Sequence, residues 1–262
     1  MVNLGKALFS PIKELYWRAW YGHINRFDKG NELTFMNYGY NNGNPVSLKP
    51  EDEKNRYQIQ LYDKIARAIP VPMKCLDMLE VGCGRGGGAH YIWEYLQPKS
   101  IIGVDLCKAA VEFCKKQEAR GISFEYGDAL NIPFPDSHFD AVINVESSHR
   151  YPNMGQFLEE VNRVLKKSGF FSFVDFRATA LLDSLDEQMR SSQMQIVERE
   201  IVTSGVLKAL ELDDARKLGL IGRLVPRILH KPAREFASVM GSASYESLRQ
   251  HKREYVRYLL RK

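Results

Sequence analysis

The chain of 262 residues contains few cysteines, and none of them form a CxxC pair. Cys75, Cys83, Cys107 and Cys114 are not interleaved with histidine at the spacing of zinc sites, so we expect no metal site. Each cysteine lies in or beside an apolar segment. This placement suits reduced, packed thiols in a cytoplasmic protein better than the disulfide framework of a secreted one.

Long hydrophobic runs and a strong charge of one sign are also missing. No apolar run approaches the roughly 20 residues that cross a bilayer, and the first residues lack the apolar core of a signal peptide. The 37 basic and 32 acidic residues leave a formal net charge of +5, too small to indicate nucleic-acid binding. With 44% hydrophobic residues the chain is too apolar for disorder, so we expect one cytoplasmic globular core.

Short apolar segments alternate with amphipathic helical patterns between residues 75 and 177, as in a parallel sheet with crossover helices. The predicted strands are Leu76–Val81, Ile101–Asp105, Ile122–Tyr126, Phe139–Val145 and Phe170–Phe176. A helix is predicted over Gln156–Lys167, with Gly169 just beyond its end. We predict one domain over 1–262, with a helical N-terminal cap or lid (1–70), a cofactor-binding core (71–177), a helical substrate cap poor in strand signals (178–234) and closing C-terminal strands (235–262).

A glycine-rich loop follows the first predicted strand and leads into a helix. It runs Leu79-Glu80-Val81-Gly82-Cys83-Gly84-Arg85-Gly86-Gly87-Gly88. Glycines allow a tight turn and let a cofactor approach the backbone. The spacing fits both GxGxG and the GxGxxG of dinucleotide enzymes. Asp105 ends the next strand, where it suits two ribose hydroxyls in either class, so these features leave the cofactor class open.

The segment after the third predicted strand separates these classes. Gly127-Asp128-Ala129 is followed by Ile132-Pro133-Phe134-Pro135-Asp136-Ser137-His138-Phe139-Asp140. With these motifs in order, residues 74–177 resemble the class I S-adenosylmethionine-dependent methyltransferases, in which an acid at the position of Asp128 meets the adenine amino group. The resemblance implies an α/β fold with a doubly wound, seven-stranded, mostly parallel Rossmann-like sheet, and helical N-terminal and inserted caps.

The same resemblance implies S-adenosyl-L-methionine as the cofactor and S-adenosyl-L-homocysteine as the product. The residues expected to bind the cofactor are Glu80, Gly82, Gly84, Gly86, Asp105, Leu106, Asp128, Ala129, Asn144 and Tyr38.

Further segments look like the phthiotriol/phenolphthiocerol dimycocerosate methyltransferases, which O-methylate a hydroxyl of a long lipid. These segments are Phe35-Met36-Asn37-Tyr38-Gly39-Tyr40, Asn55-Arg56, Leu61-Tyr62, Asn144-Val145-Glu146-Ser147-Ser148-His149-Arg150-Tyr151-Pro152, Asp175-Phe176-Arg177 and Arg234-Glu235-Phe236. The likeness spans nearly the whole chain. The stretch between Leu181 and Ile228 departs most from the family, which leaves the acceptor open.

His149 follows the fourth predicted strand, where the crevice of a doubly wound sheet opens, and we predict it as the general base. Asp175 at the carboxyl end of the fifth strand is predicted to orient the imidazole. In the small-molecule methyltransferases that the chain resembles, His and Asp form a catalytic pair at such positions. Glu146, Tyr40 and Tyr151 are the predicted substrate contacts. A pocket-closing role for His149, and ordinary packing for the aromatic pair of Tyr38 and Tyr40 instead of a lid, stay open.

Six basic residues and no acid lie between Ala215 and Arg234: Arg216, Lys217, Arg223, Arg227, Lys231 and Arg234. Their apolar neighbours fall largely on the opposite side of a helical wheel. The pattern indicates either a cap helix with a solvated face or a surface for peripheral contact with an anionic membrane or acidic lipid. Trp17 and Trp20, near Lys13 and Arg18, favour the membrane interpretation slightly.

We therefore predict an enzyme that methylates an oxygen of a small-molecule or lipid acceptor. The alternatives are a C-methyltransferase of sterol or tocopherol type, an NAD-dependent oxidoreductase, and a non-catalytic cofactor-binding protein. Nucleic acid is not expected as a partner, because Asn144-Val145-Glu146-Ser147 lacks the Asn/Asp-Pro-Pro-aromatic motif of base amino methylases. The sequence leaves the oligomeric state open.

Overall fold

The computed structural model describes Asp28 and residues 32–262. In this part of the chain the strands are β1 (Asp77–Val81), β2 (Ser100–Asp105), β3 (Ile122–Tyr126), β4 (Phe139–Val145), β5 (Leu165–Ala178), β6 (Gln195–Ile201) and β7 (Arg253–Arg261). They form a seven-stranded sheet in the order β3-β2-β1-β4-β5-β7-β6. Only β7 runs antiparallel to its neighbours, β5 and β6. The predicted seven-stranded, mostly parallel α/β sheet is confirmed.

Helices cover both faces of this sheet. They are α1 (Arg56–Arg67), α2 (Gly87–Tyr91, continued by a π-helical turn to Leu96), α3 (Lys108–Lys115), α4 (Met154–Val164), α5 (Leu182–Arg190), α6 (Thr203–Leu224), α7 (His230–Ala237) and α8 (Ala243–Arg249). Successive strand residues point to opposite faces, so Met78 packs with α1 whereas Leu79 packs with α4. Two cores result, one on each side, as a doubly wound sheet requires.

The predicted helix over Gln156–Lys167 ends three residues early. Its apolar stripe does continue to Leu165, but that residue is already extended and pairs with Phe139 in β4. Lys166 then contacts Asp140 on the neighbouring strand, with Nζ 2.9 Å from the carboxylate. Cross-strand pairing therefore overrides the helical periodicity of the sequence at this point.

The cap predicted as poor in strand signals contains β6. This edge strand is mostly exposed, and its residues do not alternate between apolar and polar, so it has no strand pattern of its own. Pairing with β7 and contacts such as Arg257 Nε to Glu200 at 3.1 Å stabilise it instead. The segment 235–262 likewise holds one strand, β7, preceded by α8, where closing strands are predicted.

The predictions for Lys13, Trp17, Arg18 and Trp20 lie outside the described residues. Within the described part of the chain, no helix combines the length and the apolar character needed to cross a bilayer.

Candidate active site

The glycine loop follows β1 at the carboxyl edge of the sheet, and its backbone requires glycine. Gly82, Gly84 and Gly86 have φ angles of +78°, +55° and +77°. A Cβ at Gly82 would overlap the Ser147 side chain, and one at Gly84 would lie 2.9 Å from Cε of Met36. The three glycines are therefore needed both for the left-handed conformation and for space.

Two acids lie beside this loop, at the ends of neighbouring strands. The Asp105 carboxylate accepts backbone N–H groups from Gly84 and Cys107, each at 2.8 Å, and burial raises its pKa. Leu106, which follows it, is half-exposed and leaves an apolar surface beside the carboxylate. Asp128, at the end of β3, is exposed and is followed by the buried Ala129. These groups suit a ribose diol and an adjoining base.

Glu80, the last but one residue of β1, is fully buried behind the loop. Its Oε1 accepts the Tyr62 hydroxyl at 2.7 Å, whereas its Oε2 has no hydrogen-bond partner among the described residues. Burial raises the pKa of Glu80 from 4.5 to about 8. A buried acceptor with a free oxygen is therefore available to a polar or cationic group of a cofactor.

This raised pKa predicts how Glu80 affects stability. Between the unfolded value of 4.5 and the folded value of about 8, the folded protein keeps a proton that the unfolded chain loses. The carboxyl therefore destabilises the fold progressively as pH rises through this window. In the cofactor-free protein, Glu80→Gln should gain about 1–3 kcal/mol of unfolding free energy relative to wild type between about pH 5 and about pH 8.

Urea denaturation at the two pH values measures this difference. Glu159→Gln, at an exposed position of α4, controls for the loss of one carboxyl group. A difference between Glu80→Gln and wild type that does not change with pH would contradict the prediction.

A histidine and an aspartate meet at the ends of β4 and β5. His149 lies in a 3₁₀ turn, Ser148–Arg150, and its Nδ1 is 2.8 Å from Oδ1 of the fully buried Asp175. The His149 backbone N–H also donates to Asp175 Oδ2 at 2.8 Å. Because a carboxylate can only accept, Nδ1 carries the proton, and Nε2 accepts from Arg150 Nε at 3.3 Å. The imidazole therefore presents an acceptor nitrogen.

The surroundings of Asp175 keep it ionised. Burial alone would raise its pKa, but His149 beside it, the Arg177 guanidinium 3.2 Å away and the Ser148 hydroxyl at 2.6 Å hold the pKa well below 3.8. The His149 ring also lies 4.3 Å from the Phe176 ring, measured between centroids. The histidine is thus fixed by a permanent negative charge on one side and an aromatic face on another.

Two neighbouring cavities adjoin this pair. The larger, of about 590 Å³, is lined by charged and polar groups that include Glu146, His149, Arg150 and Arg253. The second is narrow, about 90 Å³, and its wall is mainly apolar. Its apolar lining includes Leu33, Phe35, Leu220, Ile221, Leu224 and Val225. Met36, Tyr38 and Phe236 border both, so the two cavities share three bulky lining side chains.

Tyr38 is held across the site by its main chain. Its N–H donates to both Glu146 carboxylate oxygens at 3.0 and 3.1 Å, and its carbonyl accepts from Lys217 Nζ at 3.4 Å. Burial raises the pKa of Glu146 to about 8 and lowers that of Lys217 to about 8. The Tyr38 ring stacks on Phe176 with centroids 5.8 Å apart. The segment around Tyr38 therefore lies against Glu146, Lys217 and Phe176, and Phe176 in turn contacts the His149 ring.

Three other predicted site residues make hydrogen bonds or packing contacts with neighbouring parts of the fold. Asn144 donates to the Val81 carbonyl at 2.9 Å and so joins β1 to β4. Tyr151 bonds to Ser147 at 2.9 Å, and its ring packs against that of Phe157. Tyr40 is buried against α6, where Gly205 leaves room for its ring. Neither tyrosine lines the two cavities described above, and the substrate contacts predicted for Tyr40 and Tyr151 stay predictions.

The basic segment needs a correction. Lys217 is buried instead of lying on a solvated face, and Arg216 is bound to Asp213 on the same helix. Sequence reasoning did not single out the cavity residues Arg150 and Arg253. Arg150 could have been identified from the sequence because it directly follows His149. Arg253 lies in β7, where no sequence motif marks it as a site residue.

Known proteins resemble this chain over nearly its full length. Residues 79–173 match a family model described as a methyltransferase domain. The chain is 34% identical to a fatty-acid O-methyltransferase of Mycolicibacterium smegmatis, covering 97% of both proteins. It is 35% identical to a phthiotriol/phenolphthiotriol dimycocerosates methyltransferase of Mycobacterium tuberculosis, covering 91% of this chain and 89% of that protein.

Among solved structures, a geranyl diphosphate C-methyltransferase from Streptomyces coelicolor in complex with S-adenosyl-L-homocysteine has the same fold. The TM-score is 0.63 at 17% identity, covering 86% of this chain and 90% of that one. The full-length relatives decide between the two cofactor classes that the glycine loop leaves open. The chain belongs to the S-adenosylmethionine-dependent methyltransferases and is an enzyme of that family.

Proposed function

We propose that this enzyme methylates an oxygen of a long-chain lipid, with His149 as the general base and Asp175 as its positioning residue. One observation carries the proposal. His149, joined to Asp175 at 2.8 Å, lines a polar cavity that shares Met36, Tyr38 and Phe236 with the wall of a narrow apolar one. The polar cavity therefore suits the reacting end of a lipid, and the apolar cavity suits its chain.

The residues at the carboxyl edge fit S-adenosylmethionine. Asp105 would hold the ribose hydroxyls, Asp128 the adenine amino group, and Leu106 would pack on the base. The Oε2 of Glu80 would supply an acceptor for the amino-acid portion beside the glycine loop. When bound, this cofactor supplies an electrophilic methyl group on a sulfonium sulfur.

The chain's own contribution to the chemistry is the removal of a proton. A neutral alcohol is a poor nucleophile, and a positioned base typically contributes about 10²–10⁴-fold to the rate. His149 Nε2, which accepts from Arg150 Nε at 3.3 Å, exchanges this contact for the substrate hydroxyl and takes its proton as the oxygen is methylated. Asp175 then stabilises the imidazolium through its bond to Nδ1. The segment around Tyr38 limits the access of water.

A second acceptor class is favoured by a separate observation. Arg150 and Arg253 line the same polar cavity, and guanidinium groups bind carboxylates with matching geometry. A fatty-acid carboxylate is already ionised at neutral pH and needs no base. The name of the Mycolicibacterium smegmatis relative supports this alternative.

A pair of matched acceptors tests the proposal. Purified enzyme is incubated with methyl-labelled S-adenosylmethionine and either hexadecan-1-ol or hexadecanoic acid, and with the octyl analogues. We expect an alkali-stable methyl ether from the long alcohol and a higher KM for the octyl alcohol, because each buried CH₂ contributes about 0.8 kcal/mol. An alkali-labile ester alone would support the second candidate. Label on carbon, located by NMR, would overturn O-methylation.

A further inference from the structure

The turn between α6 and α7 carries a strongly exposed apolar side chain. We call residues 223–231 the cap tip. Ile228 at its apex is 87% exposed, whereas the other exposed large apolar side chains of the described chain reach at most 55%. The next residue, Leu229, packs inward against a small cluster that includes Ile221 and Val239. Leu229 therefore anchors the cap tip to the protein, whereas its neighbour Ile228 is exposed to solvent.

Basic side chains predominate around the cap tip. No acidic residue occurs between Ala215 and Arg234, and Arg223, Arg227, Lys231 and Arg234 are all exposed. Arg223 also reaches Glu32 at 2.5 Å. Basic side chains near a bilayer surface are attracted to anionic headgroups by about 1 kcal/mol each. An exposed apolar side chain with basic side chains around it is complementary to an anionic membrane.

The narrow apolar cavity begins beside the same turn. Leu224 and Val225, both in its wall, lie within four residues of Ile228. Tyr38 and Phe236, also in its wall, border the polar cavity that contains His149. The wall of the apolar cavity thus includes residues of the cap tip and residues that border the polar cavity.

A protein partner suits this surface less well. Stable interfaces bury about 800 Å² on each side, and the cap tip offers one protruding apolar residue among mobile cationic side chains. A bilayer needs only an inserted side chain and nearby positive charge. The observations therefore favour the membrane over a protein surface.

We infer that the cap tip is a docking surface for an anionic phospholipid membrane. Ile228 inserts between the lipids, while Arg223, Arg227, Lys231 and Arg234 contact the headgroups. Docking places the apolar cavity next to the bilayer. The delivery of a membrane-borne acceptor to His149 rests on the proposed function, whereas the docking itself does not.

Flotation of the full chain with lipid vesicles tests the docking without any methyl acceptor. Wild type should float with an equal mixture of phosphatidylcholine and phosphatidylglycerol, less so at high salt, and should not float with phosphatidylcholine alone. Ile228→Asp and the double variant Arg227→Gln/Lys231→Gln should each bind about tenfold less or weaker still. Leu181→Asp, at a 55% exposed position in another turn, and Arg190→Gln/Arg249→Gln are the matched controls and should float like wild type.

Two outcomes would overturn the docking surface. Wild type that stays unbound to the anionic vesicles excludes it directly, and equal flotation of the cap-tip variants and wild type assigns binding to another part of the chain. Methylation assays separate this inference from the proposed function. Ile228→Asp should lose turnover of a vesicle-borne long alcohol but keep that of a dissolved octyl alcohol. If no alcohol is methylated by any variant, the proposed function fails while the flotation result stands.

Discussion

His149→Gln should lower kcat for an alcohol acceptor by about 10²–10⁴-fold, the usual contribution of a positioned general base. Glutamine fills a similar space, but its amide does not take up a proton at neutral pH. S-adenosylmethionine affinity should be retained, because His149 lies in the polar cavity and not at the glycine loop. Single-turnover assays with a labelled methyl group measure the rate, and calorimetry measures cofactor binding.

Chemical rescue separates a base from a residue that only closes the pocket. His149→Gly leaves room for added imidazole, which should restore part of the rate if proton removal is the missing step. His138→Gln, at an exposed histidine in the turn before β4, is the matched control and should keep the wild-type rate. An unchanged kcat in His149→Gln, or the absence of rescue together with normal cofactor binding, would contradict the role of His149 as base.

The central strands could be predicted from the sequence because they are buried on both faces. Among these, the structure places β4 at Phe139–Val145, as predicted, shifts the start of β1 and of β2 by one residue, and lengthens the strand predicted at Phe170–Phe176 to β5 (Leu165–Ala178). Central strands consist of nearly continuous apolar residues, so their signal is local. The glycine loop is equally local, since its left-handed backbone restricts the residue types that fit.

Features that depend on distant partners could not be predicted in this way. β6 is held by its pairing with β7, and its own residues are mostly exposed and do not alternate between apolar and polar. Lys217 falls on the basic side of a helical wheel, yet the segment around Tyr38 and α7 cover it, and its Nζ bonds to carbonyls of Tyr38 and Ala237. The hydrophobic periodicity of a helix shows which of its sides is polar. It carries no information on which other segments of the chain pack over that side.

The aromatic residues of the site illustrate a similar limit. Tyr38 and Tyr40 are two residues apart in one irregular segment, and no sequence pattern distinguishes the role of one from that of the other. The structure gives them different surroundings, because Tyr38 borders both cavities whereas Tyr40 fits into the space left by Gly205 in α6. Only the position of that helix decides which ring reaches the cavity.

Asp175→Asn should reduce both turnover and stability. The same change in a Ser-His-Asp triad costs about 10⁴-fold in kcat because the histidine adopts the wrong tautomer. An asparagine amide that donates to His149 Nδ1 would likewise move the imidazole proton to Nε2, so we expect a loss of about 10²–10⁴-fold. KM should change much less than kcat, because Asp175 is fully buried and does not line the cavities.

The stability change has a defined pH dependence. Asp175→Asn leaves the Arg177 guanidinium without its carboxylate, and removing one partner of a buried pair costs about 3–5 kcal/mol. The pKa of Asp175 is held below 3.8 in the folded protein, so its contribution to stability is present above that value and is lost as pH falls through the folded pKa. The advantage of wild type over the variant, measured by urea denaturation, should therefore shrink below about pH 4.

Asp183→Asn, at an exposed position of α5, is the control for removing one carboxylate and should change neither kcat nor stability measurably. A purely structural role for Asp175 makes a different prediction. The variant would then lose stability but recover the wild-type kcat at a temperature where it is fully folded. Because the expected tautomer change affects only the imidazole, a kcat loss that persists in the folded variant, with cofactor affinity unchanged, identifies Asp175 as the residue that positions His149.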